Sequence, residues 1–335
     1  MGIRGLNAYF KRHTGPKSIQ TLSLKDLANK TVVFDTSIYI YKFLETGQLM
    51  ENMFLLIAQC IEHHITPLFV FDGKPPPSKT SVLQSRYLRK RSAYEKFMEL
   101  TTQYNESNVE WTEEERARIV KQIEYYRRRS IRVKNEDITQ LKKLMDELGI
   151  YYCDAPNESD VVCAYYVQKG IAWACVSDDM DLFAYNCPRV LREWNIQREE
   201  TILYDFEAIK KDIRLDNAHV RYVLLLVGHD YTENVCGLSP YCMEQVIDWY
   251  REYICVRKKG NTQSFLQWLM FTGRVTIQHI NQLKEVLPLY DVPDNMILKK
   301  LFPKNTSSCK AMYQKPSWAH MRMNPLMFPF GFIFI

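Results

Sequence analysis

Among nine cysteines no two form a C-x-x-C pair, and their number is odd. Cys153, Cys163 and Cys175 lie inside apolar runs. This excludes a disulfide framework or zinc site as the organising feature, and reduced, buried thiols in an intracellular protein are expected. Long apolar runs are also missing. The longest, Pro325 to Ile335, is broken by Pro329 and Gly331 and is too short to span a bilayer, so no membrane partner is expected. No signal peptide is visible, and Leu6 stands where N-myristoylation wants Ser or Thr. There is no internal repeat, no Gly/Ser linker and little net charge: 44 Lys and Arg against 39 Asp and Glu leave +5.

The remaining composition is that of an ordinary globular chain. With 335 residues, 46% hydrophobic and 25% charged, it can build one large α/β domain, alone or with a small appendage. The charge is unevenly placed. Residues 86–134 hold thirteen Lys and Arg against eight Glu, a surplus of five that equals the whole chain's. A positive segment beside a dense set of acids suits a protein that holds phosphates and cations together.

Three apolar runs end in aspartate. Thr31 to Phe34 leads into Asp35, Pro67 to Phe71 into Asp72, and Ile171 to Val176 into Asp178, Asp179 and Asp181. These read as buried parallel strands. Helical patterns lie between them, over Met53 to His63 and from Ile138 to Leu148, stopped by Gly149. Alternating strands and helices predict a mostly parallel central sheet flanked by helices, with ligands at the carboxyl ends of the strands. Arg86 to Lys134 is helical in pattern but charged nearly all round, so it reads as an insertion outside the core, with its tip at Asn105 to Val109.

Seven acids stand out: Asp35, Asp72, Glu158, Asp160, Asp179, Asp181 and Asp230. Singly, each has a plain structural reading as a helix cap, a turn residue or an acid in a first helical turn. Jointly they bring acids from several elements to one sheet edge. Carboxylates so crowded would raise one another's pKa, and hard oxygen donors without a Cys/His set call for Mg²⁺ or Mn²⁺. Two such ions about 4 Å apart suit in-line attack at phosphorus. Glu158 and Asp160 point apart on a regular helix, so that segment either starts before the helix or works partly through water. Asp179 and Asp181 share a side only where the chain is extended.

The blocks MGIRGL, VVFDTSIYIYKFL, LFVFDGKPPPSK, YYCDAPNESDVVCAYY, ACVSDDMDLFAY and VLLLVGHDY occur in the order and near the spacing of the flap endonuclease/XPG family, which residues 1–255 resemble. The resemblance implies a PIN-like nuclease fold with an N-terminal region (1–99), a helical arch (about 86–134), an internal region (about 120–255) and a C-terminal extension (256–335) of unknown role. It implies two Mg²⁺ ions on the seven acids, Mn²⁺ being able to substitute, and hydrolysis of branched or 5′-flap DNA by a nuclear monomer. Lys79 and Arg86 match the family's basic pair, expected to grip the scissile phosphate. Tyr41 matches an aromatic that stacks on a base, its other reading being core packing. Gly2 would present a free amino terminus, and Arg89, Arg91, Arg127, Arg128 and Arg129 would line the arch.

Departures from the family pattern are clear. Asp160 and Asp178 stand where Glu is usual, and His229 where Ser is usual. GLSPYCM at 237–243 keeps Gly237 but has Ser239 for the second glycine of a helix-two-turn-helix and Tyr241 and Cys242 for its basic residues. A weak duplex grip and no bound potassium are expected from that degenerate turn. No sliding-clamp motif is visible. The losses are those of a divergent member, of the kind a virus could encode. A non-catalytic binding or scaffold protein and an RNA-cutting nuclease are the alternatives.

Overall fold

The computed structural model describes residues 2–106, 111–228 and 242–296. Asp230, Gly237 and most of the 237–243 turn lie outside these residues, as does most of the expected arch tip. Seven strands form one sheet: β1 (Ile19–Ser23), β2 (Thr31–Asp35), β3 (Thr66–Phe71), β4 (Tyr151–Asp154), β5 (Ala174–Val176), β6 (Arg189–Asn195) and β7 (Glu200–Asp205). Their order is β1-β7-β6-β5-β2-β3-β4. β4, β3, β2, β5 and β6 are parallel, whereas β7 runs antiparallel to both β6 and β1. The mostly parallel sheet expected from the sequence is therefore present. The third predicted strand is shorter than its apolar run, because Ile171 and Ala172 donate backbone bonds to Tyr166 and close the preceding helix.

Strand alternation sorts the apolar side chains into two cores. Val32, Phe34, Phe69, Phe71 and Val176 face one way, onto α2 (Thr36–Thr46), α3 (Leu49–Glu62) and α6 (Asn135–Leu148). Val33, Leu68, Val70 and Cys175 face the other way, onto α1 (Leu6–His13), α7 (Ser159–Gln168), α8 (Phe206–Ile213), α9 (Val220–Val227) and α10 (Met243–Lys258). Beyond residue 255, α11 (Phe265–Phe271), α12 (Ile277–Val286) and the 3-10 turn Leu287–Tyr290 bury Trp268, Leu269, Leu283 and Tyr290 in that second core.

Between β3 and β4 two helices pack against each other, α4 (Thr80–Glu106) and α5 (Glu113–Ser130). At 27 residues, α4 is about 40 Å long. It begins earlier than the sequence pattern suggests, directly after Lys79. Only Val82, Ala93 and Leu100 of α4 are buried, and no described residue of α5 is. α5 is held by its ends and its own pairs: a Thr112/Glu115 capping box, Glu113 to Glu115 at its positive end, and Arg127 to Arg129 at its negative end.

Candidate active site

The chain passes from β2 outward to β3 and β4, then returns to place β5 on the other side of β2. Strand order reverses between β2 and β5, and crevices form at the carboxyl ends of strands at such a point. Asp35 ends β2, and Ser177 and Asp179 follow β5. Asp72 follows β3, and Glu158 and Asp160 open α7. Five chain segments, counting that of Gly2, therefore meet at one edge.

Serine hydroxyls organise the acids. The Ser159 hydroxyl donates to Asp35 Oδ1 at 2.9 Å or Asp72 Oδ1 at 2.8 Å, and its backbone N–H donates to Asp72 Oδ1 at 2.8 Å. Ser177 donates to Asp35 Oδ2 at 3.1 Å, and Ser37 to Asp72 Oδ2. Glu158 is the N-cap of α7 with extended backbone (φ −89°, ψ 144°), so it precedes the helix proper while Asp160 lies in its first turn. That resolves their spacing. Asp179 and Asp181 meet by another route than an extended chain: Asp179 caps a 3-10 turn, Met180–Phe183, and accepts the Asp181 N–H at 3.0 Å. A side chain adopting its own turn replaces strand periodicity there. Asp178 points elsewhere and accepts the Glu193 N–H at 2.8 Å.

Two glycines permit this convergence. Gly2 has φ +80°, and a Cβ there would come 2.6 Å from Asp181 Oδ1 and also collide with Asp179. A Cβ on Gly73 would meet the carbonyls of Ala155 and Pro156, the latter at 2.8 Å. Gly73 also donates its N–H to the Asn157 carbonyl at 2.6 Å, tying the Asp72 loop to the Glu158 loop.

The electrostatics follow from the crowding. Burial, then the charge on Asp72, pushes Asp35 up to about 7, against hydrogen bonds from Ser159 and Ser177. Burial, then Asp35, Asp179, Asp72 and Glu158, pushes Asp160 well above the usual carboxylate range. Asp160 Oδ1 is buried and has no hydrogen-bond partner among the described residues. All the donors are carboxylates, the set that suits a hard divalent cation, and the packed negative charge is what such a cation would relieve. As the side chains stand, no three His, Cys, Asp or Glu among the described residues gather closely enough to hold an ion. Their oxygens are turned instead onto Ser37, Ser159, Ser177 and, for Glu158, the Lys79 ammonium. Hydroxyls reorient readily, so the chemistry fits a cation once these bonds exchange.

Beside the acids, the base of the arch opens a cleft of about 980 Å³ whose lining includes Gly2, Tyr41, Arg86, Arg128, Arg129 and Asp178. Tyr41 is 37% exposed, which rules out the core-packing reading. Lys90 lies 4.2 Å from the centre of the Tyr41 ring and donates to its hydroxyl at 3.1 Å. Three expected arch residues lie outside this cleft's lining. Arg127 is bonded to Glu124 and to the Glu45 carbonyl, fastening the arch to the end of α2. Arg91 pairs with Glu95 on an exposed face, and Arg89 is also exposed. Lys79 is not part of that lining either and pairs with Glu158, both side chains being largely buried.

Ser37, Ser159, Ser177 and Gly73 are site residues that the carboxylate pattern did not single out. Their only sequence signal is position, each within two residues of a candidate acid.

Residues 1–93 match the model of the XPG N-terminal domain and residues 149–230 that of the XPG I-region, together more than half of the chain. Flap endonuclease 1 of Meyerozyma guilliermondii is 28% identical over 288 residues, 80% of this chain and 71% of that protein. Flap endonuclease 1 of Eremothecium gossypii is 30% identical over 259 residues, 72% of this chain and 64% of that protein. Among solved structures, the catalytic core of Rad2 in complex with DNA substrate has a TM-score of 0.59 at 20% identity, covering 98% of this chain and 99% of that one, a likeness of fold.

Proposed function

The chain belongs to the XPG family of nucleases, and on that premise we propose that it is a Mg²⁺-dependent, structure-specific DNA nuclease hydrolysing phosphodiesters at 5′ flaps or branch points. The observation that carries the reading is the acidic edge itself. Asp35, Asp72, Glu158, Asp160, Asp179 and Asp181 come from distant parts of the chain to the switch point of the sheet, where their mutual repulsion is costly without cations. In this reading these six, with Asp230, hold two divalent ions. When bound, the ions would acidify the attacking water and offset charge on the phosphate and leaving oxygen.

The chain's own groups do the rest. Gly2 keeps the space between the amino terminus and the Asp179/Asp181 turn free of any side chain. Lys79 is a point charge that leaves Glu158 for the scissile phosphate when substrate and cation arrive, and Arg86 offers its fork from the cleft. Tyr41, partly exposed with Lys90 on its face, offers a stacking surface for an unpaired base. Arg128 and Arg129 face phosphates at the arch base, and Arg89 and Arg91 do so along its exposed side. Arg127 holds the arch in place. Gly237 is assigned to the duplex-binding turn. The nuclease body includes the helices up to Tyr290, which share its core. Work on nuclear DNA is part of the proposal.

The test is cleavage of a panel of flap, nicked, gapped and junction DNAs, with matched RNA flaps, in Mg²⁺ and in chelator. Mg²⁺-dependent cutting of the 5′-flap DNA, lost in chelator and in Asp179→Asn, is expected. Binding without any cutting in Mg²⁺ or Mn²⁺ would instead support the scaffold reading.

A further inference from the structure

Tyr290 lies outside both stretches matched by the family models and 109 residues from Asp181 in sequence, yet its hydroxyl donates to Asp181 Oδ2 at 3.1 Å. We propose that Tyr290 is a positioning residue: it fixes the orientation in which the Asp181 carboxylate meets a divalent cation, so the segment after residue 255 is a working part of the site. The proposal rests on the reading of Asp181 as a metal ligand.

The hydroxyl is placed by rigid neighbours. Tyr290 is 1% exposed and ends the 3-10 turn that Pro288 helps to set. Its ring lies 4.8 Å from that of Tyr185, just beyond the 3-10 turn that carries Asp181. The next residue, Asp291, pairs with Arg221 on α9, so the chain is anchored immediately after Tyr290. Ile280, Leu283 and Val286 hold α12 in the same core.

Asp181 Oδ2 accepts the Tyr290 hydroxyl, and a Cβ at Gly2 would come 2.6 Å from Oδ1, so a side chain there would displace that oxygen. A carboxylate bonded through one oxygen turns less freely about its last torsion. Its plane is then biased before any cation arrives, which reduces the ordering cost of coordination. Hydrogen bonds from outside onto ligating groups commonly change metal affinity or activity by roughly ten- to a hundredfold. A purely structural Tyr290 would need only its ring, and phenylalanine supplies that.

The experiment uses the full chain and its Tyr290→Phe and Asp181→Asn variants. Mn²⁺ binding is measured by calorimetry without DNA, thermal unfolding in chelator, and cleavage against Mg²⁺ and DNA concentration. Tyr290→Phe is expected to weaken Mn²⁺ binding about tenfold or more. It should raise the half-saturating Mg²⁺ by a similar factor, leaving the KM for DNA at saturating Mg²⁺ and the chelator Tm close to those of the parent. An unchanged Mn²⁺ isotherm in Tyr290→Phe, beside a weakened one in Asp181→Asn, overturns the positioning role alone. Parent-like Mn²⁺ binding in Asp181→Asn overturns both that role and the assignment of Asp181 as a ligand.

Discussion

The acidic sheet edge and the helical arch adjoin one another and are built in opposite ways. At the edge, Asp35, Asp179 and Asp181 are buried, donors from other segments meet Asp35 and Asp181, and two glycines leave no room for a side chain. In the arch, α5 has no buried described residue, and its charges pair largely with near neighbours on the same helix. Position at the edge is dictated by the fold, whereas in the arch it is dictated by helix propensity and local pairs, each contributing only about 0.5 kcal/mol. A substitution at the edge that adds bulk should therefore disturb geometry and stability together. One in the arch should change what the protein holds while leaving the fold intact.

The largest expected effect is at the edge. Asp179→Asn should lower cleavage by several kcal/mol of barrier, roughly a thousandfold, while DNA affinity in a gel-shift or anisotropy assay is retained. Cleavage within tenfold of the parent would remove Asp179 from the chemistry.

Next comes the pH dependence of the cation-free protein. Asp35 is pushed from 3.8 to about 7, so the folded state favours its protonated form, and Asp160 shifts in the same direction. The stability this confers is present below the ordinary carboxylate pKa and is lost as pH rises towards 7. Thermal unfolding in chelator should show a loss on the order of a few kcal/mol across that window. Asp35→Asn should flatten the slope, and Mg²⁺ should cancel it. A flat profile in chelator would mean that the edge carries no stored repulsion.

Third, Gly73→Ala inserts a Cβ against backbone carbonyls and should cost about 1–3 kcal/mol. At roughly 2–4 °C per kcal/mol this is a readable fall in Tm, together with weakened cation binding as the Asp72 and Glu158 loops separate. The smallest effect on the fold belongs to the arch. Arg128→Ala with Arg129→Ala should leave Tm within about 2 °C. The salt dependence of DNA binding should fall by roughly one unit of slope per arginine. A large drop in Tm from the arch pair would erase the contrast between the two regions.

What could be read from the sequence follows the same division. Asp35 and Asp72 were legible because each ends an apolar β-rich run, and the arch because its helical pattern is charged on every side. β6 and β7 were not, since Arg192 and Glu193 interrupt one and Glu200 and Asp205 bound the other. The serines that hold the acids leave no periodic trace, because a hydroxyl matters here only through the neighbour the fold brings to it. The meeting of Asp179 with Asp181 needed a side-chain-capped turn that strand periodicity does not describe. Tyr290 reads in sequence as one more aromatic in a segment without pattern, and only the packing of α12 brings its hydroxyl to Asp181.

The central claim is that these acids are a cation site, and anomalous diffraction from crystals soaked in Mn²⁺ tests it most directly. Two peaks at the carboxyl ends of β2 and β5, within coordinating distance of Asp35, Asp72, Glu158, Asp160, Asp179 and Asp181, are predicted. Mn²⁺ bound elsewhere with that edge vacant, at concentrations that support cleavage, would contradict it.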